Sequence, residues 1–203
     1  MTTVLQVPIQ SVNEALLHNL REQYPTAIVQ VKTEQVADAE RMDQPAFWRI
    51  IGQLDWRQRD RMEVIRPAVE MLSRYPLEAI YTFHDLMAEK LYTLDAQRFA
   101  VHLGSNRYSD SEERHFSVDD FLYSRCGVVA RGHDYYQTVL QNPARMPKEF
   151  TFQLLLSLPR RTYQLKTGLS DYRHFPEFCC ETFSNPEGWP DVVTLQERLL
   201  ANV

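Results

Sequence analysis

From residue 44 onward the apolar residues recur every third or fourth position, and no stretch up to residue 167 reads convincingly as a strand of period two. The clearest segment runs from about Pro76 to Leu94. There Leu77, Ile80, Tyr81, His84, Met87, Ala88 and Leu91 fall on one helical face, while Glu78, Thr82, Asp85 and Glu89 take the other. Phe83 and Leu86 widen the apolar side, so this helix is expected to be largely buried. Phe47, Trp48, Ile51 and Leu54 predict a short amphipathic helix with Pro45 in its first turn. Residues 57–73 continue with Met62, Ile65, Val69 and Leu72, although Pro67 is expected to kink or split them. Ser117 and Asp120 have the spacing of a capping box and open a helix through Phe121, Leu122, Val128 and Val129. Gly132 is expected to cap it before a helix carrying Tyr135, Tyr136, Val139 and Leu140 that stops at Asn142-Pro143. Residues 149–167 read as helical with Gly168 as C-cap, Pro159 leaving the middle open. Residues 169–189 are irregular, and Pro190 starts a final helix.

The first 33 residues read differently. Leu5, Val7 and Ile9 alternate, a helix follows from Ser11 with its capping partner Glu14, and Ile28-Val29-Gln30-Val31 suggests a second strand. Residues 34–43 are polar and read as a linker. The expected fold is therefore mainly α, α+β overall: a small strand–helix–strand element at 1–33 followed by a helical domain at 44–203. Two strands are too few for an isolated sheet. Either the Phe178–Phe183 stretch completes it, or two copies pair through these strands into a homodimer.

Composition removes several functions. With 22 Lys plus Arg against 27 Asp plus Glu, the chain carries a net charge of −5, which argues against nucleic acid or an anionic membrane as a partner. No apolar run approaches the roughly 20 residues of a membrane span, and no signal peptide is legible. The six glycines, at 52, 104, 127, 132, 168 and 188, cannot form a dinucleotide fingerprint. Gly127 and Gly132 have the outer spacing of a phosphate loop, but His133-Asp134 replace the required lysine and hydroxyl. No cofactor is expected. The cysteines, Cys126, Cys179 and Cys180, are an odd number without redox or zinc spacing and are read as buried thiols of a cytoplasmic protein.

The middle of the chain resembles a known family. Gln44-Pro-Ala-Phe47-Trp48-Arg-Ile50-Ile51, Tyr75 through Ile80 to Phe83-His84, and Leu91-Tyr92-Thr93-Leu94-Asp95 follow the order of motifs in the bacterial domain of unknown function 4240 family. Asp119-Asp120-Phe121, Val128-Val129, Arg131-Gly132, Tyr136 and Asn142-Pro143 continue it, so that the resemblance covers about residues 44–143. The chain departs from the family at Phe116-Ser117-Val118, where glycines are common, and at Gly127, where a bulky aromatic is favoured. The resemblance implies an all-α bacterial domain and no particular activity.

Candidate site residues each have a functional and a plain structural reading. His84 could be a general base but more simply a core histidine, with Asp85 on the opposite face. Asp119 and Asp120 could hold a divalent ion near His115, or simply complement a helix dipole. Trp48 could stack a ligand or fill the core. Arg57, Arg59, Arg61 and Arg66 could grip phosphate, or pair with Asp60 and Glu63 on a solvated face. The reading that follows is a non-catalytic interaction or accessory module, of an immunity or adaptor kind, for a protein partner. Its competitor is a metal-assisted hydrolase using His84 or His115 with Asp119 and Asp120. A deep pocket joining His84, Asp119 and Arg131 would contradict the first.

Overall fold

Local sequence signals start and stop most of the helices. The computed structural model describes His18, residues 22–24, 42–104, 108 and 116–190. Nearly all of these belong to the second of two units into which the chain divides, Met1–Ala37 and Asp38–Val203. The expected strands of residues 1–33, most of the 34–43 linker, His115 and the helix after Pro190 lie outside the described residues. Of the expected first helix, His18, Glu22 and Gln23 are described and are helical.

Helix α1 spans Gln44–Ile51, and the Asp43 carboxylate accepts from the Ala46 N–H at 2.9 Å. Helix α2 spans Arg61–Ser73, capped by Asp60, which accepts from Met62 N–H at 2.8 Å. Pro67 does not split it. Val64, Ile65, Ala68, Val69 and Leu72 are buried on both sides of the proline, and their packing outweighs the roughly 3 kcal/mol that an interior proline costs. Helix α3 spans Leu77–Thr93 and a short α4 spans Gln97–Ala100. Helix α5 spans Val118–Ala130, with the Ser117 hydroxyl accepting from Asp120 N–H at 3.2 Å as the capping box requires. Gly132, at φ 91°, turns the chain into α6, His133–Gln141. Gln153–Ser157 is a 3-10 turn, and α7 begins only at Leu158 and runs to Thr167. Pro159 therefore opens that helix in its first turn, where its missing N–H has no helical partner to lose.

Helix α3 lies against α1, α5 and α7, while α2 packs along α7. Phe47, Ile50, Phe83, Leu91, Phe121, Val129 and Leu155 are fully buried between them. Lys166 Nζ donates to the Ser73 carbonyl at 3.0 Å and Arg61 reaches Gln153 at 3.2 Å, so α2 and α7 run parallel, joined at both ends. Among the described residues there is no strand, and no helix is long and apolar enough to cross a membrane.

Residues 169–189 form an irregular strap along α3. Tyr172 and His174 meet its first half, Phe178 lies on Tyr92, and the far end closes on Asp95. The Phe178–Phe183 stretch, expected as a strand candidate, is no strand because its donors turn elsewhere. The fully buried Asp95 carboxylate accepts from the backbone N–H of Phe183, Ser184 and Asn185 at 3.3, 2.8 and 3.0 Å, and from the Trp189 indole at 3.0 Å. Phe183 takes φ 71°, curling three successive N–H groups toward one anion. Behind it, fully buried Arg125 donates to the Leu91 carbonyl at 2.9 Å and Thr182 at 3.0 Å, lies 3.7 Å from Asp95, and stacks 4.7 Å over Phe121. Its Nε has no hydrogen-bond partner among the described residues.

Candidate functional site

The consecutive aromatics of α1 divide their work because neighbouring helical positions point about 100° apart. Phe47 faces the core and packs 4.9 Å from Phe83. Trp48 is only half-buried, and its ring lies 5.3 Å from Tyr136 and 5.4 Å from His133, both on α6. Between α1, α3 and α6 these rings border a groove of about 680 Å³ whose remaining walls include Lys90, Glu89 and Leu140. The expectation that Trp48 fills the core is thus corrected: it is a wall.

Lys90 is the residue of this groove that the sequence reading missed. It is only 9% exposed, and its ammonium lies 3.2 Å from Glu89. The signal was present, since Phe83, Met87, Lys90 and Leu94 share the three-and-four spacing of the buried stripe. A cation there must run its methylenes along apolar neighbours and keep its head at an edge. Tyr136 donates to the Lys90 carbonyl at 3.4 Å; burial pushes its hydroxyl up to about 12, so it stays protonated and acts as a donor. The Thr93 hydroxyl donates to the Glu89 carbonyl at 2.8 Å and so is not aimed at a base. Aromatic faces beside an already paired Lys–Glu couple suit contact and burial rather than bond making. Thr93 also borders a second groove of about 760 Å³, with Tyr92, Gln97 and Arg98 on one side and Asn185 and Glu187 of the strap on the other.

The remaining candidates are scattered. His84 Nδ1 is hydrogen-bonded with the Tyr172 hydroxyl at 3.0 Å, and the imidazole is held down to about 4, first by burial, then by His174, with Asp85 opposing. Asp85 instead meets His174 at 2.6 Å, so that it lies beside His84 under residues 172–174 and not on the opposite face expected from the sequence. Asp119 is exposed and Asp120 half-buried at the start of α5, while Arg131 caps its far end. Twelve residues of helix separate Asp119 from Arg131 by about 18 Å, so His84, Asp119 and Arg131 do not converge. The Arg131 guanidinium stacks over Tyr135 and Phe150 at 4.8 and 4.5 Å. Among the described residues no three His, Cys, Asp or Glu side chains are grouped to hold a metal ion; His115 is not one of those residues.

The arginine run follows its plain reading in part. Arg66 meets Glu63 at 2.8 Å, but Asp60 caps α2, Arg57 turns to Asp55 at 2.7 Å and Arg61 to Gln153 at 3.2 Å. The cysteines follow theirs in part: Cys126 is buried and burial pushes its thiol up, but Cys179 is exposed and Cys180 half-buried, all three free. Arg125 was legible in principle. Leu122, Cys126 and Val129 on one side of it and Phe121 and Val128 on the other make α5 apolar all round, which leaves its arginine nowhere to surface.

No curated protein and no solved structure matches the chain. A family model does, over residues 42–165, a span that contains every wall of the Trp48 groove but none of the strap. Of the motifs noted in the sequence, Phe47, Phe83, Asp95, Phe121, Val128 and Val129 are fully buried, whereas Trp48 borders the groove on one wall and Tyr136, nearly buried, backs it on another. The chain belongs to the DUF4240 family, described as a protein of unknown function.

Proposed function

We propose that the protein is a non-catalytic binding module of the cytoplasm, an accessory or adaptor-like component that holds a protein partner against the groove between α1, α3 and α6. The observation that carries this reading is the meeting of Trp48 and Tyr136, from helices far apart in sequence, beside a nearly buried Lys90 whose partner Glu89 is half-exposed. Trp and Tyr rings are enriched among the anchors of protein interfaces. Three free thiols, two of them adjacent in the chain, support a reducing compartment. The test places a photo-crosslinking amino acid at Gln137 on the groove rim or at Glu70 on α2, in the native host. A partner captured from Gln137, not from Glu70, and lost on Trp48→Ala supports the proposal. Equal capture from both positions, or capture indifferent to Trp48, overturns it.

A further inference from the structure

We propose that residues 169–180 are a strap that acidification lifts from α3, with the Asp95 anchor at 182–189 as its hinge. The two ends of the segment are held by different chemistry. The far end gives three backbone N–H groups and the Trp189 indole to a fully buried carboxylate. The near end is held by ring contacts: His84 to Tyr172 at 3.0 Å, His174 to Asp85 at 2.6 Å, and His174 stacked 4.9 Å from Tyr81. Phe175, between these contacts and Phe178, is 86% exposed and holds nothing down.

Two imidazoles, one from α3 and one from the strap, lie with ring centroids 5.6 Å apart. The groups around them are Tyr81 and Asp85 of α3, Tyr163 of α7, and Asp171, Tyr172 and Arg173 of the strap. Asp171 is engaged by the Tyr163 hydroxyl at 3.0 Å and Asp85 by His174, and Arg173 is exposed. Burial keeps the Tyr172 phenol protonated, and with neutral His84 carrying its proton on Nε2 the phenol donates to the Nδ1 lone pair. A proton on that nitrogen removes its lone pair, so the Tyr172 hydroxyl must turn from donor to acceptor, and it sets a positive charge beside His174. The bond from His174 to half-exposed Asp85, at 2.6 Å, forms with a neutral ring as well.

The direction follows from proton count. His84 titrates at about 4 when covered and near 6.5 when free, so between those values the lifted state binds the extra proton and docking weakens as pH falls. At pH 5 the two values give about a 30-fold loss in docking relative to pH 7.5, and residual water access at a half-buried site sets the expected range at about ten- to 30-fold. Lifting uncovers Tyr81, His84, Asp85 and Tyr92 along α3 and removes Phe178 from Tyr92, a wall of the second groove.

The test is native-state cleavage of the full chain by endoproteinase Glu-C, which works at both pH values. Cleavage after Glu177 is read by mass spectrometry and normalised to a peptide of the same sequence. The expected result is a ten- to 30-fold rise from pH 7.5 to pH 5, with cleavage after Glu70 in α2 unchanged. His84→Gln, which accepts from Tyr172 but does not titrate, abolishes the rise; His84→Asn does the same if the glutamine packs badly. No rise in the parent protein, an equal rise in both variants, or a parallel rise at Glu70 overturns the proposal.

Discussion

Asp95→Ala tests the anchor that joins the strap to the helices. The substitution leaves fully buried Arg125 without its carboxylate and deprives Phe183, Ser184, Asn185 and Trp189 of their acceptor. Removing one member of a buried pair costs about 3–5 kcal/mol, because the other charge stays desolvated. Each donor left buried without an acceptor adds about 1–3 kcal/mol. Those terms do not sum here: residues 182–189 can lift and give their N–H groups to water, which caps the loss at the free energy of docking that segment. The expected outcome is a loss of about 3–5 kcal/mol in guanidinium unfolding followed by far-ultraviolet circular dichroism, a large part of a domain's ordinary stability. Arg125→Met in the same background should recover 1 kcal/mol or more by removing the stranded charge. A loss under about 1 kcal/mol, or no recovery on adding Arg125→Met, would refute the reasoning.

Other perturbations separate the levels of the argument. Gly188→Ala places a Cβ against the Asp95 carbonyl oxygen and the Ala96 backbone, so the Trp189 turn should detach, seen as a rise in proteolysis near residue 188 with the helices intact. Ser117→Ala removes the cap on the first turn of α5 and should cost about 1 kcal/mol by the same unfolding assay, whereas Ser117→Asp should restore most of it. On the sequence reading of residues 1–33 as a pairing element, light scattering should show a dimer for the full chain at micromolar concentration and a monomer for a form starting at Asp43. A full chain that is monomeric, or a shortened form that dimerises as well, would remove that expectation.

The helices were legible because their signals are local. Asp43, Asp60 and Ser117 each cap within three residues, Gly132 and Gly168 take the positive φ that ends a helix, and Phe83, Met87 and Leu91 recur at the helical period. Where a local signal met a nonlocal force, it misled. Pro67 is expected to kink or split its helix, and the split does not occur because Val64, Ile65, Ala68 and Val69 are buried on both sides of it. Phe178–Phe183 reads as a possible strand, but Asp95, nearly 90 residues away, draws in the N–H of its last residue and those of the two residues that follow. Residues 105–107 and 109–115 and most of the N-terminal element lie outside the described residues.

The sequence by itself determined the helical architecture, the family, and the sorting of Phe47 and Phe83 into the core, since periodicity and capping depend on residues a turn or two apart. Only the tertiary structure decided what the polar and aromatic exceptions do. Trp48 became a groove wall because α6 returns Tyr136 and His133 to within 5.4 Å of it. His84 and His174 became neighbours across 90 positions of chain, and Asp95 became the acceptor for a distant turn. Such roles depend on which side chains are brought face to face and on how much water remains between them, and neither is written in the spacing of residues along one helix.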